Sequence, residues 1–192
     1  MGSVDHPTRR RADAVANRDA LLAAARALFA ARGLDVSYDD ISRSAGVGRA
    51  TLYRHFPTRE HLHDALLDGI VGQIEAAADA LPDEPASFAE LFRAALRVQT
   101  DNLAFYDLFP ARGELGDAVL RRRARIVGAF REPLARAQDA RIVRAGLTPE
   151  DVRIQLLMLS AVVRPDVAEA DRRRAWALAR LALGIEDEPA RG

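Results

Sequence analysis

The sequence predicts an all-α fold: a small three-helix head followed by a larger helical body. Three observations carry this. Alanine, leucine, arginine and glutamate dominate the 192 residues, and all four favour helices. Apolar residues recur at spacings of three and four between glycine and proline punctuation. Strand-like alternation of β-branched residues is nearly absent.

The elements follow in chain order. Residues 1–12 read as a flexible basic arm. The first helix is expected from about Asp13 to Arg32, with Leu21, Ala24, Ala25, Leu28 and Phe29 on one face. Gly33 stops it. Ser37 caps a second helix through a partial capping box, with Asp40 in the place of glutamate. That helix ends near Ala45, and Gly46-Val47-Gly48 makes a tight turn. A third helix runs from about Arg49 to Phe56. Pro57 breaks the chain, and Thr58 caps a fourth helix to about Ala80. The stretch Leu81 to Ser87, "LPDEPAS", is the clearest punctuation. Further helices are expected near 87–108, 110–114, 117–144, 149–164 and 168–184. Pro133 lies inside one of these patterns and should kink or break it near Ala129 to Glu132. The expected boundaries are an arm at 1–12, a head at 13–63, a body at 64–185 and an acidic tail at 186–192.

Charge separates these parts although the net charge is zero. All 28 basic residues are arginine. Residues 1–63 hold ten arginines against seven carboxylates, and residues 64–192 hold eighteen against twenty-one. A slightly basic head on a slightly acidic body fits a head that faces a polyanion. The chain has no cysteine, which excludes a disulfide framework, a thiolate metal site and a cysteine nucleophile. The N-terminus has no apolar stretch of the kind a signal peptide needs, and no run reaches the length of a membrane helix. A cytoplasmic protein without membrane contact is the simplest reading. No phosphate loop, Gly-x-Ser-x-Gly elbow or His-Glu-x-x-His occurs, so nothing points to an enzyme or a cofactor. His61 and His63 stand two apart on one helix. Residues so spaced do not share a face, so a metal site is not expected.

The segment Ser42 to Glu60, "SRSAGVGRATLYRHFPTRE", carries the chemistry. Two short helices joined by a glycine turn form a helix-turn-helix. Ile41 and Ala45 point inward, Val47 fills the turn, and Leu52 and Phe56 form the inner stripe of the third helix. Ala50, Thr51, Arg54 and His55 are then left outside, with Arg49 and Tyr53 at the edges. Such a helix fits the major groove, where its polar groups reach base edges or phosphates. Tyr53 also suits a half-buried packing role, and His55 a solvated one.

"DDISRSAGVGRATLYRHFPTREHL", Asp39 to Leu62, resembles the DNA-binding signature of TetR-family transcriptional regulators. The likeness extends to the first helix and is strong over about the first 65 residues. It implies a dimeric regulator, most simply a repressor that binds a palindromic double-stranded DNA operator and is released by a small-molecule effector. On that likeness Arg49 and Thr51 would reach base edges or nearby phosphates. Tyr53 would reach the backbone or a thymine methyl, His55 a phosphate, and Arg59 a phosphate from the start of the fourth helix. Gly48 stands where the family commonly has serine or threonine, which removes one hydroxyl contact. Arg9 to Arg11 would follow the minor groove or remain a solvated run.

The family's body domain implies two more sets of residues. Ligand contacts would come from Asn102, Phe105, Tyr106, Phe109 and Arg112, with Phe130, Gln155 and Met158 from other helices. Dimer contacts would come from Leu156, Leu159, Val163, Trp176, Ala179 and Leu183 on the last two helices. Packing within one subunit is the competing reading for each of them. Two other functions remain open from the sequence. One is a DNA-binding activator or constitutive regulator without a ligand switch. The other is an interaction module or enzyme that kept a vestigial head.

Overall fold

The computed structural model describes residues 6–33, 35–102, 116–162 and 167–185, and these residues form eight α-helices and no strand. They divide into two compact units, residues 1–67 and 68–192. The division falls four residues beyond the expected 63/64 boundary. Helix α4 (Arg59–Ala80) runs through it.

The first unit holds α1 (His6–Arg32), α2 (Tyr38–Ala45), α3 (Arg49–His55) and the start of α4. Helix α1 begins at His6, seven residues before the expected start at Asp13, so residues 6–12 of the expected arm are helical. Residues 9–13 are exposed, so burial gives no signal for that first part. From α1, Leu21, Ala25 and Phe29 are fully buried, and Gly33 ends the helix at φ 75°. Ser37 caps α2 as expected: its hydroxyl accepts from the Asp40 N–H at 3.1 Å. Gly46 closes α2 at φ 65° in the left-handed region. The Val47 N–H then donates to the Ser42 carbonyl at 3.0 Å, which turns the chain toward α3. Ile41, Leu52 and Phe56 are buried where the sequence put them, and α1 packs on both α2 and α3. The Arg18 guanidinium lies 5.5 Å from the centre of the Phe56 ring and covers it.

The second unit holds the rest of α4 with α5 (Ser87–Asp101), α6 (Asp117–Asp139), α7 (Pro149–Val162) and α8 (Glu169–Leu183). Its core joins Ile74, Phe88, Phe92, Phe130, Leu134, Val152, Leu156, Leu159, Ala179 and Leu183. The Arg122 guanidinium is buried and donates to Asp68 at 2.9 Å, and Arg125 Nε donates to Glu75 at 2.8 Å. Both bonds tie α6 to α4. Pro133 does not break α6, which is continuous to Asp139. The proline is buried against the core, and that packing offsets the missing N–H.

Two sets of expected residues sit differently in this unit. Leu156, Leu159, Ala179 and Leu183 were dimer candidates, yet they are buried in the chain's own core, with Trp176 half-buried against it. The reason is that α7 and α8 each carry two apolar stripes. The second stripe is exposed: Ile154, Leu157, Met158 and Val162 on α7, and Leu178 and Leu181 on α8. Phe130, a ligand candidate, is fully enclosed and meets Phe88 edge-on at 6.3 Å. Met158 is 60% exposed and Gln155 half-buried. Asn102 is buried and donates to the Val98 carbonyl at 2.7 Å. Phe105, Tyr106, Phe109, Arg112 and Val163, and the expected helix at 110–114, lie outside the described residues.

Candidate nucleic-acid interface

Helix α3 has only seven residues. Burial of Leu52, with Phe56 just beyond the end, fixes which side faces the core. Arg49, Ala50, Tyr53 and Arg54 are exposed, and Thr51 and His55 are half-buried. Gly48 precedes the helix and supplies no side-chain cap.

Arg49 and Tyr53 are organised rather than loose. The Arg49 guanidinium pairs with both oxygens of Asp39, Nε to Oδ1 at 3.1 Å and Nη1 to Oδ2 at 3.2 Å. Its charged carbon lies 5.7 Å from the centre of the Tyr53 ring. Tyr53 in turn leans on Tyr38, with ring centres 5.2 Å apart. The Tyr38 hydroxyl donates to the Thr58 carbonyl at 2.6 Å, which anchors the start of α2 to the start of α4. Burial is the first reason its phenol pKa is pushed up. Arg59 closes the other side, its Nη2 donating to the Val36 carbonyl at 2.9 Å.

These residues surround one notch of about 380 Å³, lined by Tyr38, Asp39, Arg49, Tyr53, Thr58 and Arg59 among others. Three of the residues singled out in the sequence, Arg49, Tyr53 and Arg59, therefore meet at one place. Two arginines and a phenol around a concave surface form the donor set that a phosphate oxygen takes. The Asp39 pair is exposed, and water and salt screen such a pair strongly. An incoming phosphate can displace Asp39 from Arg49 at small cost.

His55 is turned more inward than the sequence suggested. Its Nε2 is buried without a hydrogen-bond partner among the described residues. Burial first, then the charges of Arg54 and Arg18, push its pKa down. His63 lies on the inner side of α4, against Phe29 at 5.8 Å, and burial pushes its pKa down as well. His61 instead faces Thr58, with its Nδ1 3.0 Å from the hydroxyl.

Sequence reasoning missed Tyr38 and Asp39. Both act across a turn, ten to twenty residues from their partners. Helical periodicity relates only residues three and four apart. The available signal was charge: Asp39 is an acid placed beside a surface otherwise furnished with arginine.

The first helices match the family model for bacterial regulatory proteins of the tetR family over residues 21–66. The HTH-type transcriptional regulator EthR of Mycobacterium tuberculosis is 41% identical over 68 residues. That stretch covers 35% of this chain and 32% of EthR. Among solved structures, the TetR transcriptional regulator SCO0520 from Streptomyces coelicolor is 30% identical, with a TM-score of 0.64. The match covers 86% of this chain and 95% of that one. The TetR transcription regulatory protein from Mycobacterium vanbaalenii is 29% identical with a TM-score of 0.66, over 90% of this chain and 98% of its own. A head with this turn, followed by a body alignable over its length, places the chain in the TetR family of transcriptional regulators rather than among enzymes.

Proposed function

We propose that the protein is a sequence-specific DNA-binding repressor that acts as a dimer on a two-fold-symmetric operator and is released by a small molecule. The observation that carries the DNA-binding part is the notch in which Arg49, Tyr53 and Arg59 converge beside the exposed face of α3. That face presents Ala50 and Arg54 to base edges, while the notch grips the flanking phosphate and sets the register.

The dimer part is supported by the exposed stripe on α7 and α8. Leu181 is 73% exposed and Met158 60%. Contiguous exposed apolar residues on two adjacent helices favour a helical partner, and a second copy supplies the same stripe. One reading head covers a few base pairs. Two heads roughly 34 Å apart read successive major grooves.

The release part is supported at the end of α5. Gln99 is 3% exposed, and its Oε1 has no hydrogen-bond partner among the described residues. A buried unpaired acceptor costs about 1–3 kcal/mol, and a ligand donor there would recover it. Such a ligand shifts DNA affinity only by its preference for one conformation over the other. Helix α4, which contributes to both units, is the element suited to transmit that preference.

Hydroxyl-radical footprinting on bound duplexes tests the reading. Two protected patches one helical turn apart are expected. A single patch, or uniform weak protection, would remove the dimeric operator from the proposal.

A further inference from the structure

The second unit contains a cavity of about 520 Å³ that is separate from Gln99 and from the reading head. It lies between the start of α5, the α6–α7 connection and the end of α8. Phe88, Val143 and Trp176 give it an apolar wall, and Arg93, Arg141 and Arg180 give it cationic groups. Glu90 is the one carboxylate among the lining residues. Arg93 and Arg141 have no ion-pair partner among the described residues.

The backbone at Arg141 is the second observation. Four glycines have positive φ, and three of them, Gly33, Gly46 and Gly184, end helices. Helix α6 ends in the same hydrogen-bonded turn as α2 and α8, with the Arg141 N–H on the Gln138 carbonyl at 2.9 Å and the Ile142 N–H on the Ala137 carbonyl at 3.0 Å. Its left-handed position, φ 59°, holds Arg141 instead of glycine. It is the only residue other than glycine with positive φ among those described. Glycine is the favoured residue there, and a side chain makes that conformation unfavourable. A strained residue in a cavity wall calls for a reason other than folding.

We propose that this cavity binds a small amphipathic anion, an aromatic or similarly apolar carboxylate, with Arg93 and Arg141 holding the charge and Trp176 lying along the apolar part. The volume is within the range of small-molecule sites. Planar guanidinium groups suit a carboxylate. Trp176 rests on Phe92, ring centres 5.8 Å apart, so the apolar wall is backed by the core. The site goes beyond the proposed function and needs neither DNA nor the Gln99 region.

Trp176 is the chain's sole tryptophan, so its fluorescence reports on this cavity. The full chain is titrated with 2-naphthoate and with neutral 2-naphthamide, by calorimetry for Kd and by Trp176 emission for location. Saturable naphthoate binding with a change in Trp176 emission is expected, with the amide at least about tenfold weaker. Arg93→Gln is expected to weaken naphthoate about tenfold. Arg141→Gly is the decisive variant. It removes the guanidinium and relieves the backbone, so it should melt no lower than the parent while binding naphthoate about tenfold more weakly. Equal binding of acid and amide would overturn the proposal, as would unchanged affinity in Arg141→Gly. Ile185 also lines the cavity, and Glu186, Asp187 and Glu188 follow it in the sequence. Binding that appears only after residues 186–192 are deleted would overturn the proposal too and make the acidic tail the occupant. None of these readouts involves DNA, so failure here leaves the proposed regulator untouched.

Discussion

Arg49 is held by a partner that the proposed phosphate contact would displace. Its fork pairs with Asp39, and its flank rests on Tyr53. Removing the competitor should help DNA: Asp39→Asn is expected to tighten binding about two- to fivefold, a small gain because the exposed pair is already screened by water. Arg49→Ala should weaken binding and lower the salt slope by about 1, as loss of one phosphate contact does. Fluorescence anisotropy across a salt series measures both. Weaker binding in Asp39→Asn would mean that Asp39 positions Arg49 rather than competing for it. Two histidines of the first unit add a pH dependence. Burial lowers the folded pKa of His63 and of His55, so below the ordinary histidine range, about 6.5, the unfolded chain binds more protons. Stability is therefore present above that range and lost as pH falls through it. Urea unfolding at pH 7.5 and 5.5 should show the loss, and His63→Gln should reduce it. At this scale the sequence was informative about residue type and poor about partners. Arg49 and Tyr53 were singled out from their place on the third helix and Arg59 from the family likeness, and the three line one notch. Tyr38 and Asp39 were not, because their partners lie across turns.

Helix ends were the most legible elements, because capping is local chemistry. Ser37, Gly33 and Gly46 all act where a single side chain, or its absence, decides the backbone. Not all such glycines are equivalent. At Gly46 an added Cβ meets nothing within 4 Å, so Gly46→Ala should cost only the left-handed strain, about 1–2 kcal/mol. At Gly184 an added Cβ would sit 2.7 Å from the Arg144 amide nitrogen, which itself donates to the Leu183 carbonyl at 3.0 Å. Gly184→Ala should cost a further 1–3 kcal/mol or about that, as overpacking does. Denaturant midpoints of the two variants check the order, and equal costs would show that the α6–α7 connection yields freely. Pro133 was the element-scale surprise. A rule about backbone donors predicts a kink or a break, and burial of the ring in the core keeps the helix continuous to Asp139. Periodicity also failed to choose between the two apolar stripes of α7 and α8. A pattern with two stripes lets a helix bury either one, and nothing local says which stripe meets the chain's own core.

For the whole molecule, the choice between stripes decides which face the proposed dimer can use. With Leu156, Leu159, Ala179 and Leu183 committed to the core, the face open to the proposed second copy is that of Leu157 and Leu181. The double substitution Leu157→Glu and Leu181→Glu should leave the fold intact and shift sedimentation from dimer to monomer. Operator affinity should fall at least about tenfold when one head binds alone. A variant that remains dimeric would place the interface elsewhere. The all-helical architecture and the head were readable from 192 residues because their determinants are short-range. The body's cavities were not, since each is assembled from segments far apart in the chain.

Selection of bound duplexes from a random library, at low and at physiological salt, tests the reading head most directly. Sequence reading by α3 predicts enrichment of a palindrome with half-sites one helical turn apart, lost together with affinity in Tyr53→Ala and Arg49→Ala. Binding that enriches no sequence and disappears with salt would be purely electrostatic, and would contradict a base-reading role for α3.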